Sequence, residues 1–290
     1  MGDIASNARP LSMQSGEVPW RGILGKTHKA LSRSRFGVAA ALRIRNQSEM
    51  ILQWYLGEGD KRELNGEQQL IRLIAPVSRN FIDVGANVGE WSELFLQAGG
   101  AEKHGILIEP SRSASAVLER TFAGDARVGI IRAAVSDSEG EAVFHEEKQA
   151  GETSSLLSSF SSAGAEAVRV RVTTIDREVA GAGWDFVDVL KIDAEGFDFH
   201  VIRGAQRLFR ERAIGILQFE YNAPWAQAGS TLASALAFLE GYGYRIFLVR
   251  STGLHPFNYA RWGEFYRCTN FVAVSPERLS LVGPLLRAEV

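Results

Sequence analysis

The sequence predicts an α/β protein, a mostly parallel sheet with helices on both faces in a three-layer α/β/α arrangement. Three observations predict it. Between Asn80 and about Ser275, short apolar runs of strand character alternate with segments whose apolar residues recur at helical spacing. Such alternation builds βαβ units, and right-handed crossovers put helices on both faces. Carboxylates and small polar residues stand directly after successive strand-like runs, where sheets of this kind bind ligands. The 290-residue chain is 46% hydrophobic and 23% charged, an ordinary soluble composition.

The N-terminal region differs from the rest. Its first 45 residues hold Arg9, Arg21, Lys26, Lys29, Arg33, Arg35, Arg43 and Arg45 against Asp3 and Glu17. That balance reads as an arm followed by solvated helices, or as a contact for a second copy (a homodimer) or a membrane surface. A helical pattern from Glu49 to Leu73, ended by Pro76 and Ser78, completes an extension over residues 1–79, and the α/β domain occupies 80–290. In that domain Phe81 to Val84 reads as a buried strand. Val88, Trp91, Leu94, Phe95 and Ala98 follow at helical spacing, with a stop at Gly99-Gly100. Gly105 to Glu109 is a second strand, and Pro110-Ser111 opens a helix to about Phe122. Residues 128–135 form a third strand. Ala142 to Phe144 and Val168 to Thr174 are two more, joined by a Ser-rich loop. Val187 to Ile192 is another buried strand. Val201, Ile202, Ala205, Leu208 and Phe209 then share one helix face, with Arg203, Arg207 and Arg210 turned outward. Ile214 to Phe219, Tyr244 to Val249 and Thr269 to Val274 are the closing strands, and Thr231 to Glu240 is a helix.

Several classes are excluded or disfavoured. The net charge of −2 disfavours a dedicated nucleic-acid binder. Cys268 is the single cysteine, so no internal disulfide forms and a reducing compartment fits. The apolar run Phe36 to Leu42 lies between Arg35 and Arg43, far short of the roughly 20 residues a membrane span needs. With no signal-peptide pattern at the start, the expected location is the cytoplasm.

The strand ends carry the chemistry. The run Asp83-Val84-Gly85-Ala86-Asn87-Val88-Gly89-Glu90 has a glycine for a tight turn and a second for close helix packing. It is not G-x-G-x-x-G, because Asn87 and Glu90 replace two glycines. An acidic residue near the helix start repels a pyrophosphate. The loop instead suits a nucleoside with a cationic or zwitterionic tail. Glu109, after the second strand, can accept from both ribose hydroxyls. Ser136-Asp137 could meet an adenine ring, or be a plain turn. In Lys191-Ile192-Asp193-Ala194-Glu195-Gly196, Lys191 and Asp193 share one strand face. Asp193 faces cofactor or substrate, and Glu195 is read as a cap of the next helix. Glu220 adds a carboxylate. Asp193, Glu220 and Asn222 could offer oxygens to a hard cation, at a spacing too unspecific to assign a metal. No histidine shows metal or triad spacing; His145 and His255 lie in segments that could fold over the site. Residues 153–162 and the segment His255 to Tyr266 are two candidate lids. Phe257, Tyr259, Trp262, Phe265 and Tyr266 are read as core or as the lining of an acceptor pocket.

The loop Asp83 to Gly89, Glu109, Ala134 to Asp137, the string K-I-D-x-E-G from Lys191, Arg203-Gly204-Ala205 and Val172 to Asp176 together resemble the FkbM-type methyltransferases. The likeness covers roughly residues 80–222. It implies a Rossmann-like class I fold with a seven-stranded sheet and a reversed last hairpin, and S-adenosyl-L-methionine as cofactor. Asp83, Gly85 and Asn87 would hold its methionine part, Glu109 its ribose and Ser136-Asp137 its adenine edge. The expected activity is O-methylation of a hydroxyl on a sugar, polysaccharide or polyketide-type acceptor, with Asp193, together with Glu220 or a nearby histidine, assisting loss of the proton. N-methylation of an amine and non-catalytic binding of an adenosine ligand are the competing readings.

Overall fold

A computed structural model describes residues 19–56, 65–100, 102–146, 156 and 165–290. The chain divides into two compact units, Met1–Leu52 and Gln53–Val290. Residues 1–18 of the basic arm lie outside the described residues. The first unit holds α1 (Pro19–Leu31) and the start of α2 (Arg35–Leu56). Ser34 Oγ accepts from Gly37 N at 3.3 Å. A side chain on Gly37 would strike the Leu31 carbonyl, so its absence lets the chain turn tightly between the two helices. The single helix expected over 49–73 is divided. α2 ends at Leu56, residues 57–64 lie outside the described residues, and α3 (Glu67–Ile74) starts after Gly66, whose φ of 95° breaks the right-handed spiral.

The second unit alternates as expected: β1 (Asn80–Val84), α4 (Glu90–Gln97), β2 (His104–Ile108), α5 (Arg112–Thr121) and β3 (Val128–Ile131). There the reading of 128–135 as one strand is corrected. The chain leaves the main sheet after Ile131, and β4 (Ala134–Val135) pairs instead with β6 (Glu166–Thr173), which also pairs with β5 (Gly140–Glu146) in a separate small sheet. α6 (Ile175–Ala182) and β7 (Val187–Ile192) follow. The next expected helix is two, α7 (Asp198–Arg203) and α8 (Gln206–Arg210), because Gly204 sits where any side chain would strike the Ser136 carbonyl. β8 (Ile214–Tyr221), α9 (Pro224–Gln227), α10 (Leu232–Gly241), β9 (Arg245–Arg250), β10 (Gly253–Pro256), α11 (Tyr259–Trp262), β11 (Thr269–Val274) and α12 (Leu279–Val282) complete the unit.

The main sheet has the order β10-β9-β11-β8-β7-β1-β2-β3. β3, β2, β1, β7 and β8 are parallel, and β11 runs antiparallel to β8 and β9. These are the seven strands with the reversed last hairpin, and β10 adds an eighth at the edge. Successive residues of a strand face opposite sides. Ile82, Val84, Ile106 and Ile108 therefore pack on one face with Val179 of α6, Ile202 of α7, Leu208 of α8 and Leu239 of α10. Phe81, Leu107, Val189 and Ile216 pack on the other with Leu70 of α3, Phe95 of α4, Leu118 of α5 and Val282 of α12. Two cores on two faces make the three-layer α/β/α arrangement. The parallel strands then end together at one edge, and the loops that follow them form the site.

Candidate active site

β1 and β7 are adjacent, and their ends are tied by charge. Asp83 is fully buried. Its Oδ2 accepts from Ser92 Oγ at 2.7 Å, and its Oδ1 lies 3.1 Å from Lys191 Nζ. The same ammonium lies 3.4 Å from Asp193 Oδ2 and donates to the Gly85 carbonyl at 3.3 Å. Burial alone pushes the Lys191 ammonium down, but Asp83 and Asp193 outweigh it and hold the group above its ordinary value. At Gly85 φ is 68°, and a Cβ there would sit 1.9 Å from the Asp193 carbonyl oxygen, so only glycine lets the two strand ends meet.

Glu109 follows β2 and is buried. Its Oε1 accepts from Ser111 N at 2.8 Å and its Oε2 from Asn87 N at 2.9 Å. Burial lifts its carboxyl to about 7, against those two bonds and the Lys191 charge. Beyond β7 the chain turns through Glu195, with φ 47°, and Gly196. The cap expected of Glu195 is not made: α7 starts after Phe197 without a side-chain cap, and Asp198 instead ties the preceding turn, its carboxylate accepting from Ala194 N at 3.4 Å and Gly196 N at 3.3 Å. Glu195 itself lines the cavity at this edge. Burial, then the neighbouring Asp193 and Glu220, push Glu195 up to about 10. Burial and Asp193 push Glu220 to about 8, although Cys268 and Asn222 donate to it, the latter at 2.7 Å.

A cavity of about 540 Å³ opens at this edge. Gly85, Asn87, Glu109, Asp193 and Glu220, five of the residues expected at the site, line it. The other four do not. Asp83 lies beneath it, engaged by Lys191 and Ser92. Gly89 caps α4, and a side chain there would strike Phe122 and Leu118, so this glycine serves helix packing. Asp137 is paired with Arg203, and Ser136 faces a separate cavity of about 250 Å³. The wall expected from Ser136-Asp137 is apolar instead, built by Ala133, Ala134, Val135 and Phe144. The turn after β4 carries the polar pair away, because β4 has left the main sheet.

Neither His145 nor His255 lines the cavity. Both ring nitrogens of His255 are engaged, by Thr252 Oγ1 and the Ala288 carbonyl, each at 2.8 Å. Of the candidate lid 153–162, only Leu156 is among the described residues, and it lines the cavity; none of His255 to Tyr266 does. Phe257, Tyr259, Trp262 and Phe265 pack against the core. Glu264 fixes that segment, accepting from Tyr221 Oη at 2.8 Å, Tyr259 Oη at 3.0 Å and the backbone N–H groups of Leu232 and Ala233 at the start of α10. Among the described residues no cluster of histidine, cysteine and carboxylates is arranged to hold a metal ion.

Sequence reasoning missed Asn65, Glu67, Cys268 and Asn270, which also line the cavity. The reversal of β11 was the available signal for two of them, because a reversed strand begins where its neighbours end. Asn270 accordingly sits opposite Glu220 in the register. Glu67 carries no local signal. Asn65 Nδ2 donates to its Oε2 at 3.1 Å, and Gln218 donates to its Oε1 from 151 residues away.

A profile of the methyltransferase FkbM domain matches residues 83–246, more than half of the chain. The chain belongs to the FkbM methyltransferase family. The FkbM methyltransferase of Methylobacillus flagellatus KT is a similar solved structure, with 17% identity over 67% of this chain and a TM-score of 0.42. The match covers 43% of that protein, so the present chain corresponds to less than half of its length. An O-methyltransferase of Bacillus cereus in complex with SAH is 10% identical over 81% of this chain and 91% of that one, with a TM-score of 0.37. Fibrillarin of Aeropyrum pernix in complex with S-adenosyl-L-methionine is 12% identical over 73% and 76%, also with a TM-score of 0.37. No curated protein matches the chain. The cavity fits S-adenosyl-L-methionine, the donor that the resemblance implies. Asn87 Oδ1 is buried there without a protein partner, Glu109 presents a buried carboxylate, and the wall beyond is apolar enough for a purine ring.

Proposed function

We propose that this FkbM methyltransferase methylates a hydroxyl oxygen on a sugar, polysaccharide or polyketide-type acceptor. S-adenosylmethionine supplies a methyl group on a sulfonium, which leaves as a neutral thioether when an oxygen attacks in line. Asn87 and Glu109 hold the donor, with Glu109 accepting from the ribose hydroxyls. Gly85 keeps the loop close to it. Lys191 fixes Asp193 at the end of β7, and Asp193 orients the acceptor hydroxyl. Glu220 takes the proton.

The observation that carries this reading is Glu220 itself. A hydroxyl needs help losing its proton, and a base titrating near working pH gives the most. Buried beside Asp193, Glu220 titrates at about 8, within a cavity that also holds Asn270 and Asn65 for an alcohol's hydrogen bonds. The test has two steps. S-adenosylmethionine and S-adenosylhomocysteine are titrated calorimetrically into the chain, and acceptors are then screened with labelled methyl groups. Glu220→Gln is expected to keep donor affinity and lower turnover about 10²–10⁴-fold. If Asp193→Asn and Glu220→Gln both keep full turnover on an amine acceptor, the methylated atom is nitrogen and the reading is wrong.

A further inference from the structure

The first unit has no role in the chemistry above, yet its surface is unusual. Along α2, Phe36, Ala40, Ile44 and Ile51 recur at spacings of four, four and seven, which stack on one side of a helix with 3.6 residues per turn. Phe36 is 84% exposed, Ile44 67% and Ile51 70%. Arg43 borders this stripe, and Arg35, Arg45 and Glu49 lie away from it. Large apolar side chains aligned in the open mark a contact surface.

Charge selects the kind of contact. Over residues 25–52, Lys26, Lys29, Arg33, Arg35, Arg43 and Arg45 are all exposed, against Glu49 as the one carboxylate. Glu49 is already paired with Arg45 at 3.3 Å. A second copy seated on the same stripe would bring an equal positive charge against this one, because a two-fold interface pairs a patch with itself. A polyanionic surface with an apolar interior satisfies both features. Helices with a Lys/Arg flank and a Phe/Ile/Leu face lie at the headgroup level of such surfaces. The tight turn at Gly37 keeps the cations of α1 near the start of α2.

We propose that α1 and α2 form a docking surface for an anionic lipid bilayer, with the Phe36, Ala40, Ile44 and Ile51 stripe entering the interface and the cations meeting the headgroups. The surface is peripheral: no helix of the described residues is long and apolar enough to cross a membrane.

The full chain is tested by flotation with vesicles of phosphatidylcholine alone and of phosphatidylcholine mixed with phosphatidylglycerol. Binding to the mixed vesicles only, released by salt, is expected. Removing a cation that has no ion pair among the described residues, as in Arg43→Gln or Lys29→Gln, is expected to weaken it about fivefold. Ile44→Glu with Ile51→Glu is expected to abolish it while leaving donor affinity unchanged, which shows that the chain still folds. Equal binding to both vesicles, or none to either, overturns the proposal. So does a chain that is dimeric by light scattering and becomes monomeric in the Ile44→Glu, Ile51→Glu variant, because the stripe is then covered by a second copy.

Discussion

Glu109 has a role that burial makes measurable. Its two oxygens are each fixed by one backbone N–H, which leaves each a free lone pair. Glu109→Ala is expected to lower affinity for S-adenosylhomocysteine about 10–100-fold, the range for hydrogen bonds to a charged group; unchanged affinity by calorimetry would remove Glu109 from the donor site. Glu220 and Glu195 predict a pH dependence. Burial holds them at about 8 and about 10, above the ordinary 4.5. The folded chain therefore binds their protons more tightly than the unfolded chain. The stability they contribute is complete below about pH 4.5 and is lost as pH rises through their folded values. The unfolding temperature of the ligand-free chain should fall between about pH 5 and 8, and Glu220→Gln should flatten that fall. Turnover should move the opposite way, rising with a midpoint near 8 as Glu220 ionises, if it is the base. Lys191 answers to a different principle. It is buried between Asp83 and Asp193, and Lys191→Met strands two carboxylates, at a cost of about 3–5 kcal/mol read from denaturant unfolding.

The elements that expectation placed correctly are those with strong local signals. Thr231 starts α10 with its hydroxyl accepting from Ser234 N at 3.1 Å, and Ser111 starts α5 in the same way, at 3.2 Å from Ala114 N. Thr231→Ala should cost about 1 kcal/mol, measured by chemical denaturation. Where expectation failed, a contact from elsewhere had overridden the local pattern. The apolar face through Val201 and Phe209 is intact, but the helix carrying it breaks where Gly204 approaches the Ser136 backbone. Gly204→Ala would place a Cβ 2.1 Å from that carbonyl and should destabilise by about 1–3 kcal/mol. β10 is four residues long, ends in Pro256 and sits at the sheet edge, so it has almost no strand signature of its own.

The chain as a whole joins one eight-stranded sheet to segments that lie outside its strand-and-helix repeat. α3 belongs with the sheet: Leu70, Ile71 and Ile74 are buried in the core on one face, and Glu67 bonds to Gln218. The extension expected over residues 1–79 therefore holds two kinds of chain, and the compact units divide after Leu52. A chain beginning at Gln53 is expected to fold and keep donor affinity. One beginning at Asn80 loses three buried apolar side chains, each worth about 2–5 kcal/mol, and is expected not to fold. Far-ultraviolet circular dichroism of the two truncations decides it, and a stable chain from Asn80 would return the boundary to residue 79.

The succession of strands and helices, the glycine loop after β1 and the carboxylates at strand ends were legible because each is written within a few neighbouring residues: apolar periodicity, a positive-φ glycine, a charge where an apolar run stops. The composition of the cavity was not. Asn65 and Glu67 come from before the first strand and Cys268 and Asn270 from the reversed last one, and they meet Asp193 and Glu220 through pairings that no short window contains. The proton affinities of Glu109, Glu195 and Glu220 follow the same rule. A carboxylate's titration is set by how much water and which charges surround it, and here those surroundings exist only once the sheet has closed beneath them.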